Sequence, residues 1–580
     1  MSFPMKDLGA GPYPHEVPST RFPVYTRGNA GEVWPEVAYP LSVSMSRSAP
    51  DPVMDTIRAT GMVRPEETDE GITIGGGCYG GYMYLNLSFN RVMALRSPGV
   101  TIADNDAIYL GSDGLAPPHV LRPGDKSLKA SVNAVRYMLG VLGTTELPQL
   151  AEDIRLVADR RAAMADELRL DDAELLAALR RRNVEVMRLF DRHIDVSSRA
   201  GAAVQYLAGL CEKRFGDRTM ALSLVAGVGD VASAAPSWGL WELGRLVAAD
   251  EDLTAAFDAG IDGLADRLAD LPAAEAFNVE FGGFIETFGS RGPNEWETAS
   301  DTWETRPELA LALVDRLRGA DERQAPEERA KTLAAERGQL VVETRDRLPR
   351  FRRRSFDKAL AAASLFSMSR ERTKTTVIDL IHQSRLLTRE LAGRVASRVE
   401  GGTIEDLWFC LEEELDDYLD DPAALAGVIA QRRATREALS LRIPPFVFEG
   451  ALPPVDEWEL RADAVSDQPL LAAGDSISGL SAVTGVAEGR ACIVTDPFDP
   501  GDLGPGDVLV APLTDPAWTP LFIAAEAVVV DVGGQMSHAV IVAREFGMPC
   551  VVAATDATSR IPHGARVRVD GSTGTVTLLE

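Results

Sequence analysis

The chain has 580 residues, of which 45% are apolar and 25% are charged, a composition typical of globular proteins and a length that requires several domains. Its 87 acidic and 59 basic residues give a formal net charge of −28, a field that repels polyanions and excludes nucleic acid as an expected partner. A phosphate site in such a chain must therefore be formed by a local cluster of basic side chains.

Short, broken segments occupy the chain between about residues 44 and 90. The cluster ITIGGGCYGG leads there into alternating apolar residues. Gly75, Gly77 and Gly80 formally satisfy GxGxxG, but a dinucleotide fingerprint needs a strand before it and a helix after it. Because the following residues are typical of a strand, the pattern predicts a turn or hairpin.

A long helical body is predicted from about residue 126 to 427. Apolar residues recur there at spacings of three and four in a background of Ala, Leu, Arg and Glu, which is the pattern of amphipathic helices. Loops containing Gly, Pro and Trp interrupt it, among them FGSRGPNEWE, and such loops often carry functional residues. Between residues 443 and 475 five prolines replace the helical pattern, which predicts a linker or hinge.

The last hundred residues have a different sequence pattern. Short β-branched runs (ACIVTD, DVLVAP, AVVVDV, PCVVAA, RVRVDG, TVTLLE) are separated by Gly, Pro and Asp, which predicts a compact α/β domain. The predicted fold is therefore multidomain: a large, mainly α-helical domain with a small β-rich portion (1–442), a Pro-rich linker (443–475) and a C-terminal α/β domain (476–580).

His538 is the strongest candidate for chemistry. It follows a strand and the turn Gly533 and Gly534, at the start of a helix predicted to begin near Ser537 and to stop at Gly547. Unpaired backbone N–H groups and the helix dipole favour an anion there. Neutral imidazole is a good nucleophile for a phosphoryl group, the glycines allow a donor to approach, and Ser537 would cap the helix or bind the phosphate. The alternative is a histidine that merely neighbours a helix cap.

The cysteine pattern and the lack of long apolar segments indicate the cellular compartment in which this chemistry would take place. The five cysteines are scattered without CxxC spacing, which argues against disulfides and a structural zinc site. No apolar signal segment is found, nor the roughly 18 to 20 apolar residues of a membrane span. We expect a cytoplasmic protein with no membrane partner and no metal bound by this chain.

The segment GGQMSHAVIVAREFGMPCVV closely resembles the signature of the swivelling phosphohistidine domain of phosphoenolpyruvate synthases, pyruvate phosphate dikinases and rifampicin phosphotransferases. With the upstream stretches SAVTGVAEGRACIV and VLVAPLTDPAWTPLF, the resemblance covers residues 477–580. It implies that His538 collects the β-phosphoryl group of ATP at an ATP-grasp domain, with release of AMP and phosphate, and delivers it at an acceptor domain.

The N-terminal body resembles the antibiotic-binding domain of rifampicin phosphotransferases through FPVYTRGNAGEVWPEVAYPLS, FGSRGPNEWE and SRERTK. Arg370 and Lys374 match the RExxK pattern of that family one helical turn apart, where they can neutralise a phosphoryl group in transfer. Arg291 and Glu295 match another segment and could complete the pocket. His382, two turns beyond Lys374, is either a base for the acceptor hydroxyl or a packed core residue.

Two stations of the single-chain enzymes are not found in the sequence. Only 42 residues follow His538, too few for a pyruvate-binding barrel of about 250 residues, and there is neither a GxxxxGK[ST] loop nor room for an ATP-grasp unit. We therefore expect an ATP-grasp partner that binds ATP and Mg²⁺, as in split phenylphosphate (aryl phosphate) synthases, and a small phenolic acceptor. An antibiotic phosphotransferase component and a noncatalytic phosphocarrier or binding protein remain as alternatives.

Overall fold

The computed structural model describes residues 5–8, 11–48, 52–68, 75–110, 115–226, 228, 235–319, 326–461, 469–497, 501–514, 518–534 and 537–579. The chain divides into two compact units, each built from separate segments. Unit 1 comprises Met1–Ala203, Trp296–Ala299 and Arg372–Val465, and unit 2 comprises Val204–Glu295, Ser300–Glu371 and Ser466–Glu580. Two long helices, Asp172–Phe215 and Arg350–Ala396, contribute residues to both units.

Unit 1 is mainly helical. Its largest apolar cluster includes Leu175, Leu391 and Trp408, all at most 2% exposed, so the long helices pack on the shorter helices and 3₁₀ turns around them. The shorter helices are Ala30–Val33, Pro40–Ser48, Pro52–Ala59, Leu87–Arg96, Ile102–Tyr109, Leu128–Gly143, Pro148–Glu167, Leu415–Asp420 and Pro422–Ser440, and the 3₁₀ turns are Pro65–Glu67, Ile404–Phe409, Glu412–Glu414 and Val455–Glu457.

A four-stranded antiparallel sheet in unit 1 contains the glycine cluster. Its order is Gly76–Tyr79, Tyr82–Asn86, Val24–Thr26 and Val447–Glu449, and a hairpin of two strands, Met5–Asp7 and Pro12–Pro14, accompanies it. Gly80 and Gly81 have φ values of 60° and 78°, the left-handed conformation that a two-residue hairpin turn requires and glycine adopts readily. The predicted hairpin is confirmed.

The first part of the predicted linker is folded structure. Val447–Glu449 pairs with Val24–Thr26, and Phe448 and Trp458 are buried in the core of unit 1 at 4% and 5% exposure. The nearest prolines, Pro444, Pro445, Pro453 and Pro454, lie outside the strand and so occupy none of its paired positions. Residues 462–468 of the predicted linker lie outside the described residues.

Unit 2 combines a group of helices with the C-terminal α/β domain (residues 476–579). One apolar cluster contains Trp241 and Phe284 from the helices together with Val528 and Val540 from the C-terminal α/β domain, so the two parts share a core. The helices are Met220–Leu224, Ala235–Ala248, Glu251–Asp258, Leu264–Asp270, Glu275–Phe288, Glu308–Leu317 and Pro326–Asp346, with a 3₁₀ turn at Pro272–Ala274.

An eight-stranded mixed sheet forms the C-terminal α/β domain. All six β-branched runs predicted as strands are strands, and four neighbouring ones are parallel. The strand order is Ser476–Ser478, Thr575–Leu578, Arg566–Asp570, Val486–Ile493, Asp507–Ala511, Ala525–Val530, Cys550–Val552 and Leu480–Val483. Three helices accompany it: Thr519–Ala524, His538–Phe546 and Ala557–Arg560. Among the residues that the structure describes, none of the helices has both the length and the apolar character of a membrane span.

Candidate functional site

His538 is the first residue of a nine-residue helix, His538–Phe546. The extended backbone of Ser537 (φ −66°, ψ 159°) places it at the N-cap, and its carbonyl accepts the first helical bond from the N–H of Ile541 at 3.1 Å. Gly547, with φ 63°, ends the helix in the left-handed conformation. The helix therefore starts and stops where the sequence predicts, with His538 at its positive end.

Two threonine hydroxyls flank the imidazole of His538. Thr514 Oγ1 lies 3.1 Å from Nδ1, and Thr519 Oγ1 lies 3.2 Å from Nε2. Both threonines are buried, at 2% and 7% exposure, and the ring of Phe522 meets the imidazole edge-on with centroids 6.1 Å apart. These contacts determine the orientation of the ring. Each hydroxyl can donate or accept, so in neutral imidazole one of them accepts the ring N–H and the other faces the nitrogen lone pair.

The threonines reach His538 because of the parallel sheet. Thr514 follows the carboxyl end of Asp507–Ala511, and His538 follows the carboxyl end of the neighbouring parallel strand Ala525–Val530. Loops after adjacent parallel strands meet at one edge of a sheet. The sequence motif indicates His538 alone, and the two hydroxyl partners depend on a strand order that no local pattern specifies.

Ser537 does not cap the helix with its side chain. It is 3% exposed, makes no side-chain cap bond, and its Oγ has no hydrogen-bond partner in the described part of the chain. A buried hydroxyl without a partner costs about 1–3 kcal/mol, which a ligand oxygen would recover. The two glycines predicted to bind phosphate both lie next to Ser537. A Cβ added to Gly533 would lie 3.2 Å from the Ser537 Oγ, and the carbonyl of Gly534 accepts a hydrogen bond from the Ser537 N–H at 3.0 Å.

Asp531 anchors the start of the loop that carries these residues. Its carboxylate accepts hydrogen bonds from the backbone N–H of Thr558 at 2.9 Å and from the Thr558 hydroxyl. Burial raises the pKa of Asp531 to about 6, although the hydrogen bonds from Thr558 oppose that shift. The loop before His538 is thus tied to the helix Ala557–Arg560.

Arg370 and Lys374 lie on the continuous helix Arg350–Ala396, but the boundary between the units falls between them. Arg370 belongs to unit 2, as His538 does, and Lys374 belongs to unit 1. Within unit 2, Arg370 Nε is 3.9 Å from Glu371 Oε1. Burial lowers the pKa of Arg544, on the His538 helix, and the positive charge of Arg370 contributes to the shift. The structure therefore brings Arg370 into the electrostatic surroundings of that helix.

Arg291 and Glu295 form a buried ion pair in unit 2. Arg291 Nη1 donates to both Glu295 carboxylate oxygens at 3.0 and 2.9 Å, and the two residues are 6% and 0% exposed. The pair joins residues four apart in the Gly-Pro loop, and its contribution to a pocket stays a prediction.

His382 is buried in unit 1 at 3% exposure. Its Nδ1 lies 3.1 Å from Arg385 Nη1, and since a guanidinium only donates, Nδ1 is the acceptor. This hydrogen bond holds the buried ring against Arg385 within unit 1. His193 is only partly buried. Its Nδ1 is 3.1 Å from Thr373 Oγ1, beside Lys374, and its ring is 5.8 Å from that of Trp296.

One cluster of potential metal ligands is present in the described part of the chain. Atoms of Cys492, Asp502 and His563 lie within 4.8 Å of one another, but each already takes part in other contacts. His563 Nδ1 accepts the N–H of Ile493 at 3.2 Å, which directs the ring proton to Nε2 and toward Asp502. Arg490 pairs with the Asp502 carboxylate, and burial raises the pKa of the Cys492 thiol to about 11. These contacts do not fit a metal centre.

Comparison with protein families assigns two segments of the chain. The model described as "Rifampicin phosphotransferase fourth domain" matches residues 192–371, which contain the helices of unit 2. The model described as "PEP-utilising enzyme, mobile domain" matches residues 503–574, which contain His538. Both matches support a relationship with the PEP-utilising enzymes and rifampicin phosphotransferases.

Individual relatives agree with these matches. An uncharacterized protein of Mycobacterium tuberculosis is 36% identical over 296 residues, 51% of this chain and 31% of its own length. A rifampicin phosphotransferase of Streptomyces sviceus is 30% identical over 334 residues, 56% of this chain and 37% of its own. An uncharacterized phosphotransferase of Bacillus subtilis is 35% identical over 188 residues, 31% of this chain and 22% of its own. The chain thus spans between 22% and 37% of the length of these relatives.

Proposed function

We propose that the chain is a phosphotransferase component that carries a phosphoryl group on His538. The observation that carries the proposal is the imidazole at a helix start, held between the hydroxyls of Thr514 and Thr519. This arrangement orients a nucleophilic nitrogen at a place where a helix terminus stabilises an anion. The buried, unpaired hydroxyl of Ser537 adds a donor beside it.

In the proposed reaction, ATP is split by an ATP-grasp protein that binds ATP and Mg²⁺. Its γ-phosphoryl group is released to water as phosphate, and its β-phosphoryl group passes to His538 with AMP as the leaving group. An acceptor hydroxyl then attacks the phosphorus, the N–P bond breaks, and the hydroxyl proton passes to a base. The sum is ATP, water and acceptor giving AMP, phosphate and a phosphate monoester.

The proposed acceptor station includes Arg370 and Lys374. Residues four apart on a helix share a face, and a guanidinium and an ammonium there can neutralise the three phosphoryl oxygens during transfer. Support comes from the proximity of Arg370 to the charges of the His538 helix. Two histidines of unit 1 are proposed as the base for the acceptor hydroxyl: His382, and His193, which is partly exposed and lies beside Thr373.

We further propose a small phenolic acceptor and a separate ATP-grasp partner, as in aryl phosphate synthases. A rifamycin-type antibiotic is the second candidate acceptor, because the rifampicin phosphotransferases are among the relatives and the fourth domain of that enzyme matches residues 192–371.

The carrier step can be tested without the partner. Phosphoramidate phosphorylates reactive histidines directly, so the purified chain is treated with it and analysed for acid-labile, base-stable phosphate. We expect one such phosphohistidine, absent from His538→Ala and present in a His563→Ala control. The labelled protein is then offered phenol, 4-alkylphenols and rifamycin SV, with product detection by ³¹P NMR. Equal labelling of the His538→Ala variant would contradict the carrier role, and labelling by ATP alone would contradict the separate partner.

A further inference from the structure

The helix Leu128–Gly143 in unit 1 exposes its larger apolar side chains. Leu128, Val132, Val135 and Leu139 are 84%, 44%, 46% and 63% exposed. At 100° per residue they fall within a 60° arc of the helix surface. We call these four residues the Leu128 face. It runs for about three turns, or roughly 16 Å.

The opposite side of the same helix is buried and includes two alanines, a valine and the partly buried Tyr137. Ala130, Ala134 and Val141 are 2%, 7% and 0% exposed. The helix is also anchored in this orientation, because Ser127 Oγ accepts the N–H of Ala130 and Asn133 Nδ2 donates to the carbonyl of Gly61 at 2.8 Å. An amphipathic helix that packs alone would turn most of its Leu and Val inward. This one exposes two leucines and two valines on one face, which is the mark of an interaction surface.

The spacing of the Leu128 face is that of a coiled-coil seam. Its residues follow one another at intervals of four, three and four, which are alternate d and a positions of a heptad. In this register Lys129 and Arg136 both occupy e positions, where charges select the partner helix. Both side chains are exposed.

The exposed charged side chains of the segment that carries the face are all basic. Between residues 115 and 143 the exposed charged side chains are Arg122, Lys126, Lys129 and Arg136, and the one acidic residue, Asp125, is 1% exposed. This basic rim contrasts with the net charge of −28 of the whole chain. An antiparallel second copy would bring like charges together at the e positions. The exposed arc of about 60° is the narrow seam that a partner helix covers, not the wide apolar face of a membrane-surface helix.

We propose that the Leu128 face binds an amphipathic helix of another protein, with apolar a and d positions and acidic flanks. Apolar burial along three turns supplies affinity, and pairing of partner carboxylates with Lys129 and Arg136 supplies selectivity. The proposal is independent of phosphoryl transfer, since none of these residues belongs to the proposed reaction.

The probes are two labelled 21-residue helical peptides with leucine at a and d. One carries Glu at e and g and the other Lys, so that self-repulsion keeps each peptide monomeric. Fluorescence anisotropy with the full chain should give an affinity at least tenfold higher for the acidic peptide, which decreases with salt. Val132→Ser with Leu139→Ser should weaken binding at least tenfold, and Lys129→Glu with Arg136→Glu should reverse the preference.

Matched controls alter similar residues elsewhere. Val279→Ser, at a 69% exposed apolar position, and Lys213→Glu with Arg214→Glu, at exposed basic positions, should bind the acidic peptide like the wild type. Equal affinity for both peptides, or equal losses in the controls, would overturn the proposal. So would sedimentation showing a dimer that Val132→Ser with Leu139→Ser dissociates, or binding to phosphatidylserine vesicles that the same variant abolishes.

Discussion

Thr514 Oγ1 lies 3.1 Å from Nδ1 of His538, on a threonine that is only 2% exposed. Thr514→Val keeps the shape of the side chain but removes the oxygen that fixes the ring. We expect phosphorylation of His538 by phosphoramidate to slow about 100-fold, because a nucleophile displaced by about 1 Å loses that much. Thr577→Val, on a strand at the far side of the sheet, serves as control. Wild-type labelling of the Thr514→Val protein would exclude an orienting role for Thr514.

Arg370 and Lys374 should separate the two half-reactions. Arg370→Gln and Lys374→Gln are expected to leave formation of phosphohistidine unchanged and to reduce its transfer to the acceptor by 10²-fold or more, because the loss falls on charge stabilisation during transfer. The decay of labelled His538 after addition of acceptor measures this step. Arg352→Gln, an exposed position on the same helix, should transfer normally. If these variants instead formed phosphohistidine slowly and transferred it normally, Arg370 and Lys374 would act in loading His538 and not in transfer to the acceptor.

Both the backbone conformation of Gly547 and the space around it disfavour a side chain at the end of the His538 helix. Its φ is 63°, and an added Cβ would lie 2.7 Å from Leu333 Cδ2 of the helix Pro326–Asp346. Gly564 has a φ of 83° but no neighbour within 4 Å of such a Cβ. Both Gly→Ala changes should lose about 1 kcal/mol through the backbone, and Gly547→Ala should lose about 1–2 kcal/mol more through overpacking. Urea unfolding measures both, and adding Leu333→Ala should lessen only the loss at Gly547.

Asp531 makes the stability of unit 2 depend on pH. Burial raises the pKa of its carboxyl to about 6 in the folded protein, above the roughly 3.9 of an unfolded chain. The stabilising contribution is therefore fully present below about pH 4 and is lost as the pH rises through 6, by about 2 kcal/mol. Asp531→Asn cannot titrate, so its free energy of unfolding relative to wild type should rise by about that amount from pH 4 to pH 7. A constant difference across this range would exclude the shift.

Local signals in the sequence predict local structure well. The left-handed glycines Gly80, Gly81 and Gly547 lie where a hairpin turn and a helix end were expected, because one residue type suffices to specify those conformations. The β-branched runs likewise became strands. Each of these features depends on neighbours within a few residues.

Packing between segments that are distant in the sequence could not be predicted from local patterns. Helical periodicity indicates that the faces of Trp241 and Phe284 are buried, but not that they share a core with Val540 in the C-terminal α/β domain. The helices of residues 204–371 consequently belong to unit 2, whereas the sequence suggested one N-terminal domain from 1 to 442. The contacts of Thr514 and Thr519 with His538 have the same origin, since they require the parallel strand order.

The segment predicted as a linker is hydrogen-bonded at both of its described ends. Arg461 is held by its N–H to the carbonyl of Leu441 at 2.9 Å, and Leu471 is held to the carbonyl of Arg560 at 2.9 Å. The second bond lies entirely within unit 2, as does the apolar core that Val540 of the His538 helix shares with Trp241 and Phe284. The C-terminal α/β domain is therefore fastened to unit 2 by a backbone bond near its entry as well as by its buried side chains.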